Sequence, residues 1–169
     1  HGQLVFAVVA HTRDQARHAA RRSRIEIAQE TPAISVDDGL ISGETVLPNY
    51  QFLRGDPDKV IAASERQASG SVRVGGQEHF YLEGQIAMAV PGEGGGMHIF
   101  SSTQHPSEVQ HLVARMLTLS EAQVVTECRR MGGGFGGKES QASQWAGLAA
   151  LGAHATGRGV KIRLDRDDD

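Results

Sequence analysis

The sequence feature that most constrains the fold is a glycine-rich stretch, MGGGFGGKES, at residues 131–140. A strand-like segment, QVVTECRR, precedes it at 123–130, and an alanine-rich segment of helical composition follows it at 140–157. Glycine loses more conformational freedom on folding than any other residue, so it is usually kept where the backbone must approach another group closely. The pattern therefore predicts a strand, a loop that serves as an approach surface for a rigid ligand, and a helix.

The loop partly matches a dinucleotide-binding fingerprint. Gly132, Gly134 and Gly137 satisfy G-x-G-x-x-G. That fingerprint also needs an acidic residue roughly 20 positions later to hold the ribose hydroxyls. The next acidic residue after Glu139 is Asp165, which lies too far along the chain. The dinucleotide interpretation is therefore disfavoured.

A phosphate-binding P-loop is the second partial match. Gly132, Gly137 and Lys138 fit its pattern, but Glu139 stands where the motif requires Ser or Thr. A carboxylate there would face phosphate oxygens of the same charge. The alternative without a ligand is a tight strand-to-helix crossing, with Lys138 and Glu139 facing water at the start of the helix.

The rest of the chain alternates short strands and helices, which predicts the α+β fold class. Short apolar or alternating runs indicate strands, and helix-forming segments follow several of them. The predicted strands span 4–10, 24–30, 71–76, 80–90, 97–102, 123–130 and 160–166. The predicted helices span 12–23, 58–65, 107–117 and 140–157, with one further helical turn near VDDGLIS at 36–42. Thr12 is expected to cap the first of these helices, and Gly157 is expected to end the last. The helix at 107–117 is expected to pack through an apolar stripe formed by Val109, Leu112, Val113, Met116 and Leu117. A polar, turn-rich stretch after residue 55 indicates a domain boundary.

Composition narrows the class of protein and its partners. The net charge of −3 gives no general attraction to nucleic acid or to a membrane surface, so neither is an expected partner. A single cysteine excludes an intrachain disulfide framework and makes a cytoplasmic location the default. The eight histidines include no pair at zinc-binding spacing. The chain starts almost within a strand and ends just after another, so it is expected to be a piece of a longer protein.

Three quoted segments together carry a family resemblance. RMGGGFGGKES, with VGGQEHFYLE at 74–83 and STQHPSEVQHLVARML at 102–117, resembles the molybdenum-binding portion of the molybdenum hydroxylases, the xanthine oxidase and aldehyde oxidase family. GQLVFAVVA and PAISVDDGLISGETVLPNYQFLRGDPD resemble the hammerhead-type α/β domain that precedes that portion. The resemblance implies the end of a hammerhead domain at 1–55, a linker at 56–73, and the first part of a molybdopterin-binding mixed α/β domain at 74–169.

The resemblance also implies roles for particular residues. In this family a pyranopterin dithiolene holds the molybdenum, and the protein supplies no direct metal ligand. Gln77 is expected to donate its side-chain amide to an oxo ligand of the metal. The backbone of Gly134, Phe135 and Gly136 is expected to lie against the cofactor, where a larger side chain at either glycine would collide with it or forbid the loop's dihedral angles. Glu139 is expected to bind the substrate through hydrogen bonds.

The implied activity is hydroxylation of hypoxanthine and xanthine to urate, with water as the oxygen source. The expected cofactor is molybdenum–molybdopterin, and its nucleotide form stays open. FAD and 2Fe-2S clusters would belong to other domains or subunits, which are the expected partners together with the rest of the chain's own protein. Lys138 has no comparable role and is interpreted as a loop lysine.

Two family residues, the base glutamate and a substrate-binding arginine, would lie downstream of Asp169, so the 169-residue chain alone is expected to be inactive. Two other functions remain open. One is a molybdenum hydroxylase that oxidises an aldehyde or another N-heterocycle. The other is a non-catalytic nucleotide-binding or assembly module.

Overall fold

The computed structural model describes residues 3–43 and 45–169. They form two compact units, one made of residues 3–23 together with Gln77–Asp169, and the other of Arg24–Gly76. The first unit contains the glycine-rich loop and the four strands described below. This division separates residues 3–23 from the rest of the predicted 1–55 domain, whose hammerhead assignment stays a prediction.

The first unit is organised around a mixed four-stranded sheet. Its strands are β1 (Ile86–Pro91), β2 (Met97–Ser101), β3 (Val124–Glu127) and β4 (Val160–Arg163), and their spatial order is β3-β2-β1-β4. Strand β1 pairs antiparallel with both β2 and β4, whereas β3 runs parallel to β2. With the helices of the same unit, the sheet confirms the mixed α/β class predicted from the sequence.

Two helices, α4 (Pro106–Leu117) and α5 (Gln141–Thr156), cover one face of this sheet. Helix α4 (Pro106–Leu117) begins with proline in its first turn and buries Val109, Val113 and Leu117, three of the five residues in the predicted apolar stripe. Met116, which was predicted to belong to the same stripe, is exposed. Two short 3-10 turns connect elements of this unit: Glu93–Gly95 lies between β1 and β2, and Glu121–Gln123 lies between α4 and β3. Strand side chains such as Ile99 and Val124 pack beneath the helices, and each buried side chain of this size stabilises the fold by about 1.5–3 kcal/mol.

Helix α5 (Gln141–Thr156) follows the glycine-rich loop directly. Its buried face consists of alanine, glycine and serine, which lets it approach α4 closely. A Cβ atom added to Gly147 would lie 2.5 Å from the sulfur of Met116. The helix ends at Gly157 in the left-handed conformation, as predicted. Neither α5 nor any other helix in the described ranges has the length and apolar character needed to cross a membrane.

The remaining helices are short or exposed. Helix α1 (Arg13–Arg22) belongs to the first unit, and its N-cap is Thr12, whose hydroxyl accepts a hydrogen bond from the Gln15 amide at 3.2 Å. The second unit contains α2 (Val36–Ser42) and α3 (Pro57–Ala63), neither of which has a buried residue. Capping side chains begin both of them, since Ser35 and Asp56 accept hydrogen bonds from backbone amides in the first turn.

The predicted strands at 4–10, 24–30 and 71–76 are wrong, because these segments have no regular secondary structure. A β-strand is stable only when a neighbouring strand satisfies its backbone groups. In the described residues the pairing partners are confined to the four-stranded sheet. Apolar composition alone therefore predicted strands in segments that, in the described part of the chain, have no neighbouring strand to pair with.

The strand predicted at 80–90 is partly right, since β1 starts only at Ile86. The preceding backbone is used for contacts with other loops. Glu83 donates its amide hydrogen to the Gly132 carbonyl at 3.2 Å, and Arg166 donates to the carbonyls of Tyr81 and Leu82. These contacts replace a strand ladder and bring residues 81–84 against the glycine-rich loop.

Candidate functional site

The glycine-rich loop joins the end of β3 to the start of α5 by a tight reversal of the backbone. Gly133 and Gly136 have φ values of 98° and 96°, and Phe135 has a φ of 50°. The Gly137 amide donates to the Gly134 carbonyl at 2.7 Å, which closes the turn. Left-handed backbone is accessible to glycine at no steric cost but is strained for an aromatic residue. The loop therefore stores strain at Phe135, whose side chain is 74% exposed.

Two glycines of the loop are required by neighbouring side chains of the protein itself. A Cβ atom added to Gly134 would lie 2.4 Å from Oε1 of Gln104, and one added to Gly137 would lie 2.7 Å from the ring of Tyr81. At Gly136 the nearest atom would be 3.6 Å away, on His79, so space is available and the positive φ is the constraint. Gly134 and Gly137 are thus closely approached by side chains of the protein itself, whereas the backbone at Gly136 stays open to a ligand.

Lys138 is buried, although the loop that carries it is largely exposed. Its side chain is 0% exposed. The Nζ atom donates to the Glu83 carbonyl at 2.5 Å and to the Ser102 hydroxyl at 2.9 Å, and it lies 3.4 Å from the Glu83 carboxylate. It also lies 4.7 Å from the centroid of the Tyr81 ring, within range of a cation–π interaction. The lysine therefore faces inward and not into water.

Glu83 contacts the loop at Gly132 as well as at Lys138. Its amide donates to the Gly132 carbonyl, while its carboxylate accepts a hydrogen bond from the Gly132 amide at 3.2 Å. Burial raises the pKa of the Glu83 carboxyl, but the Ser102 hydroxyl and the charge of Lys138 outweigh burial and bring the pKa below its ordinary value. The glutamate is therefore held in its ionised form beside the lysine.

Gln104 clamps the other side of the loop. Its Oε1 accepts hydrogen bonds from the amides of Gly136 at 2.9 Å and Lys138 at 3.3 Å. The backbone amide of Gln104 donates to the Lys138 carbonyl at 2.9 Å, and the Thr103 hydroxyl donates to the same carbonyl at 3.1 Å. No role was predicted for Gln104, although it lies within the STQHPSE segment that contributed to the family resemblance.

A network of polar side chains is hydrogen-bonded to the loop at Gly137. The Gln85 side-chain amide donates to the Gly137 carbonyl and to the Tyr81 hydroxyl, each at 3.0 Å. The Tyr81 hydroxyl donates to the Asp169 carboxylate at 3.0 Å. Burial raises the pKa of the Tyr81 hydroxyl, and the Asp169 carboxylate adds to the effect. The phenol therefore stays protonated and remains a hydrogen-bond donor.

The residues predicted from the sequence are only partly brought together. Gly134, Phe135, Gly136 and Glu139 share the loop, and the side chains of Phe135 and Glu139 are exposed. Gln77 is exposed too, and within the described chain its side chain makes no hydrogen bond to the loop. Among the described residues, the glutamines whose side chains hydrogen-bond to the loop backbone are Gln104 and Gln85.

A separate cavity of about 320 Å³ lies over the part of the sheet that α4 and α5 leave uncovered. Its lining includes Met88, Phe100, Glu127, Arg129 and Lys161. Phe135 and Glu139 do not contribute to it, so this cavity and the exposed end of the loop are distinct places.

The family model of the molybdopterin cofactor-binding domain matches residues 42–169, which include the whole glycine-rich loop. The chain belongs to the molybdopterin cofactor-binding domain family. The loop of this domain, with its open backbone and its exposed carboxylate, is the candidate functional site.

Similar proteins place the cofactor-binding domain within the molybdenum hydroxylases. The chain is 44% identical over 171 residues to the xanthine dehydrogenase of Drosophila pseudoobscura pseudoobscura, which covers 100% of this chain and 13% of that protein. It is 39% identical over 169 residues to the xanthine dehydrogenase/oxidase of Mus musculus, with 99% and 13% covered. The aldehyde oxidoreductase from Desulfovibrio gigas matches in structure with a TM-score of 0.77 and 25% identity, over 92% of this chain and 18% of that one. The predicted resemblance is confirmed, and the chain spans about 13% of the length of these curated relatives.

The pKa of Glu83 predicts an acid-dependent loss of stability. Because its folded-state pKa is lowered, the contribution is complete above the ordinary carboxyl range, about 4.3, and is lost as the pH falls through the folded-state pKa. Glu83→Gln removes the charge at every pH. We expect the urea midpoint of the variant to lie below wild type at pH 7 and the difference to shrink towards pH 3.

The matched control is Glu93→Gln, which alters an exposed glutamate with no ion pair among the described residues. Its midpoint is expected to follow wild type throughout. A difference between Glu83→Gln and wild type that stays constant with pH contradicts the ion pair with Lys138.

Proposed function

We propose that this chain forms part of the molybdenum active site of a purine-oxidising hydroxylase of the xanthine dehydrogenase type. Such an enzyme converts hypoxanthine and xanthine to urate with water as the oxygen source. The observation that carries the proposal is the exposed carboxylate of Glu139 at the end of the loop. The residue before it, Lys138, is fully buried. The xanthine dehydrogenases among its relatives support purines as the substrate class.

The loop residues fit a bulky cofactor that brings its own metal ligands. Gly136 has no atom within 3.6 Å of a Cβ position, so its backbone is open on that side, and Phe135 offers an exposed apolar ring beside it. The loop exposes backbone amides and the carboxylate of Glu139, and the described residues contain no cluster of metal-binding side chains, which suits molybdopterin better than a bare ion. When bound, molybdopterin would supply the molybdenum centre that oxidises a purine carbon.

Glu139 is the residue that would recognise the substrate. Its side chain is exposed and has no hydrogen-bond partner in the described part of the chain. A carboxylate is an acceptor only, so it would bind a ring N–H of the purine and orient the carbon to be oxidised. A carboxylate in this position is unsuited to phosphate, which disfavours a nucleotide-binding function.

Two glutamines are candidates for an amide donor to the cofactor. Gln77 follows from the family resemblance. Gln104 has a geometric argument, because its Oε1 is occupied by the amides of Gly136 and Lys138. The same side-chain amide leaves its Nε2 donor without a partner among the described residues, next to the open backbone of the loop. We therefore include Gln104 with Gln77 as a proposed donor.

The remaining parts of the reaction belong to regions that this chain does not contain. We propose that the base glutamate and the substrate arginine come from the rest of the same protein, and that the FAD and 2Fe-2S groups are held by other domains or subunits. The chain alone is then expected not to oxidise xanthine. A cytoplasmic location fits this proposal.

The substrate role of Glu139 is tested by Glu139→Ala in the complete enzyme. Loss of a hydrogen bond to a charged group costs about 1.5–3 kcal/mol, so kcat/KM for xanthine is expected to fall by about 10- to 150-fold. Molybdenum content is expected to match wild type. Glu139→Gln keeps the size of the side chain and one acceptor, so its kcat/KM for xanthine is expected to lie between those of wild type and Glu139→Ala.

An unchanged kcat/KM for xanthine in Glu139→Ala contradicts the proposed substrate role. Loss of molybdenum in the same variant would give the residue a role in cofactor binding instead. If wild type oxidises a small aldehyde and not xanthine, the aldehyde-oxidising alternative is correct.

The two glutamines are separated by Gln77→Ala and Gln104→Ala in the complete enzyme, with Gln144→Ala on the exposed side of α5 as the control. A residue that donates to the cofactor is expected to lower turnover by at least about tenfold when truncated. Gln77→Ala is expected to do so with the pterin retained. Gln104→Ala is expected to lower cofactor content as well, since two loop amides lose their acceptor.

Cofactor release and absorbance measure the pterin that each variant retains. Wild-type turnover in Gln77→Ala eliminates that residue as a donor. Wild-type turnover and cofactor content in Gln104→Ala contradict its inclusion.

A further inference from the structure

Lys138 is a buried cation for which the proposed reaction has no use. Removing an ammonium group from water is destabilising unless acceptors surround it. Its acceptors here lie outside its own loop, at the Glu83 carbonyl and carboxylate before β1 and at the Ser102 hydroxyl after β2. The lysine therefore ties the loop to two other segments of the domain.

The main chain of Lys138 is fixed as well as its ammonium group. Its amide donates to Oε1 of Gln104, and its carbonyl accepts from the Gln104 backbone amide and the Thr103 hydroxyl. Each polar atom of residue 138 thus has a partner elsewhere in the chain. The position and direction of the backbone where it enters residue 139 are set by these contacts.

Glu139 lies between this fixed residue and the start of α5. Ser140 already has helical backbone angles, with φ −96° and ψ −29°, and the helix begins at Gln141. The Glu139 side chain has no partner of its own in the described residues. Its direction is consequently determined by the backbone on either side, of which Lys138 is the anchored part.

Burial of Lys138 also separates two neighbouring opposite charges. The ammonium group is turned inward to Glu83 and is 0% exposed, whereas the Glu139 side chain faces outward. The Glu139 carboxylate is therefore not occupied by the adjacent lysine. It remains available to an external hydrogen-bond donor.

We propose that Lys138 is a positioning residue: its buried ammonium group sets the direction of the Glu139 carboxylate and thereby the affinity of the site for a purine. This inference rests on the function proposed above. It assigns a role to the residue that the sequence left as a loop lysine.

The test compares Lys138→Met, Glu139→Ala and the double variant in the complete enzyme. Lys59→Met, at an exposed lysine in α3, is the matched control. KM and kcat are measured for xanthine and for benzaldehyde, with kcat expressed per molybdenum atom. Urate binding is measured by equilibrium dialysis. Molybdenum content and thermal midpoint are recorded for every variant.

We expect Lys138→Met to raise the KM for xanthine and the Kd for urate about tenfold, because a small displacement of a positioned group has a large effect. The kinetics with benzaldehyde, which has no ring N–H for Glu139, are expected to change less than about twofold. In the Glu139→Ala background the Lys138 change is expected to add less than about twofold, since both act on the same contact.

Two results overturn the inference while the proposed function stands. One is a lower molybdenum content or thermal midpoint with KM for xanthine unchanged, which is a structural role alone. The other is an effect that multiplies fully with Glu139→Ala. If wild type fails to oxidise xanthine, or Glu139→Ala is equal to wild type, the proposed function and the inference both fail.

If Lys138→Met yields no folded enzyme, Ser102→Ala replaces it, because this change removes one acceptor and keeps the lysine. The KM for xanthine is then expected to rise about threefold, with molybdenum content retained. An unchanged KM and an unchanged Kd for urate in Ser102→Ala overturn the inference.

Discussion

The buried ammonium group of Lys138 is the interaction on which the candidate site depends. An ammonium group has three donors and no acceptor, so it is stable away from water only where several oxygens converge. Glu83 and Ser102 provide them from segments next to different strands. One cation thus joins the segment before β1, the end of β2 and the loop after β3. The backbone that carries the exposed residues Phe135 and Glu139 is held in place as a result.

The glycine content of the loop has two physical causes. Gly134 and Gly137 are small because Gln104 and Tyr81 occupy the space that a side chain would need. Gly133 and Gly136 adopt positive φ angles that side chains rarely allow. Together they let the backbone turn sharply over a packed polar network. The outer surface of that turn is left to Phe135 and Glu139, in a family that binds molybdopterin.

Local signals predicted much of the fold. Three of the five residues in the apolar stripe of α4, the capping residue Thr12 and the terminal Gly157 were correctly predicted, since each depends on residues within one or two turns. The strands at 4–10, 24–30 and 71–76 were not, because a strand also requires a partner that composition does not reveal. The order of strands in the sheet likewise depends on pairing between distant segments.

In the candidate site, too, local sequence signals were predictive and contacts between distant segments were not. Family motifs indicated the loop, Phe135 and Glu139, but the burial of Lys138 depends on Glu83 and Ser102, 55 and 36 positions away in the sequence. A lysine beside a glutamate in a glycine-rich loop has the local composition of a solvated turn. Gln104 was missed for a similar reason, since its contacts with Gly136 and Lys138 span 32 and 34 positions.

The central claim is that a loop anchored by Lys138 presents Glu139 to a purine. A crystal structure of the complete enzyme with xanthine bound tests it most directly. The account predicts a Glu139 carboxylate oxygen at about 2.7–3.2 Å from a ring nitrogen, with Nζ of Lys138 still bonded to Glu83. A bound purine that makes no contact with Glu139, or a Lys138 side chain turned to the substrate, would contradict it.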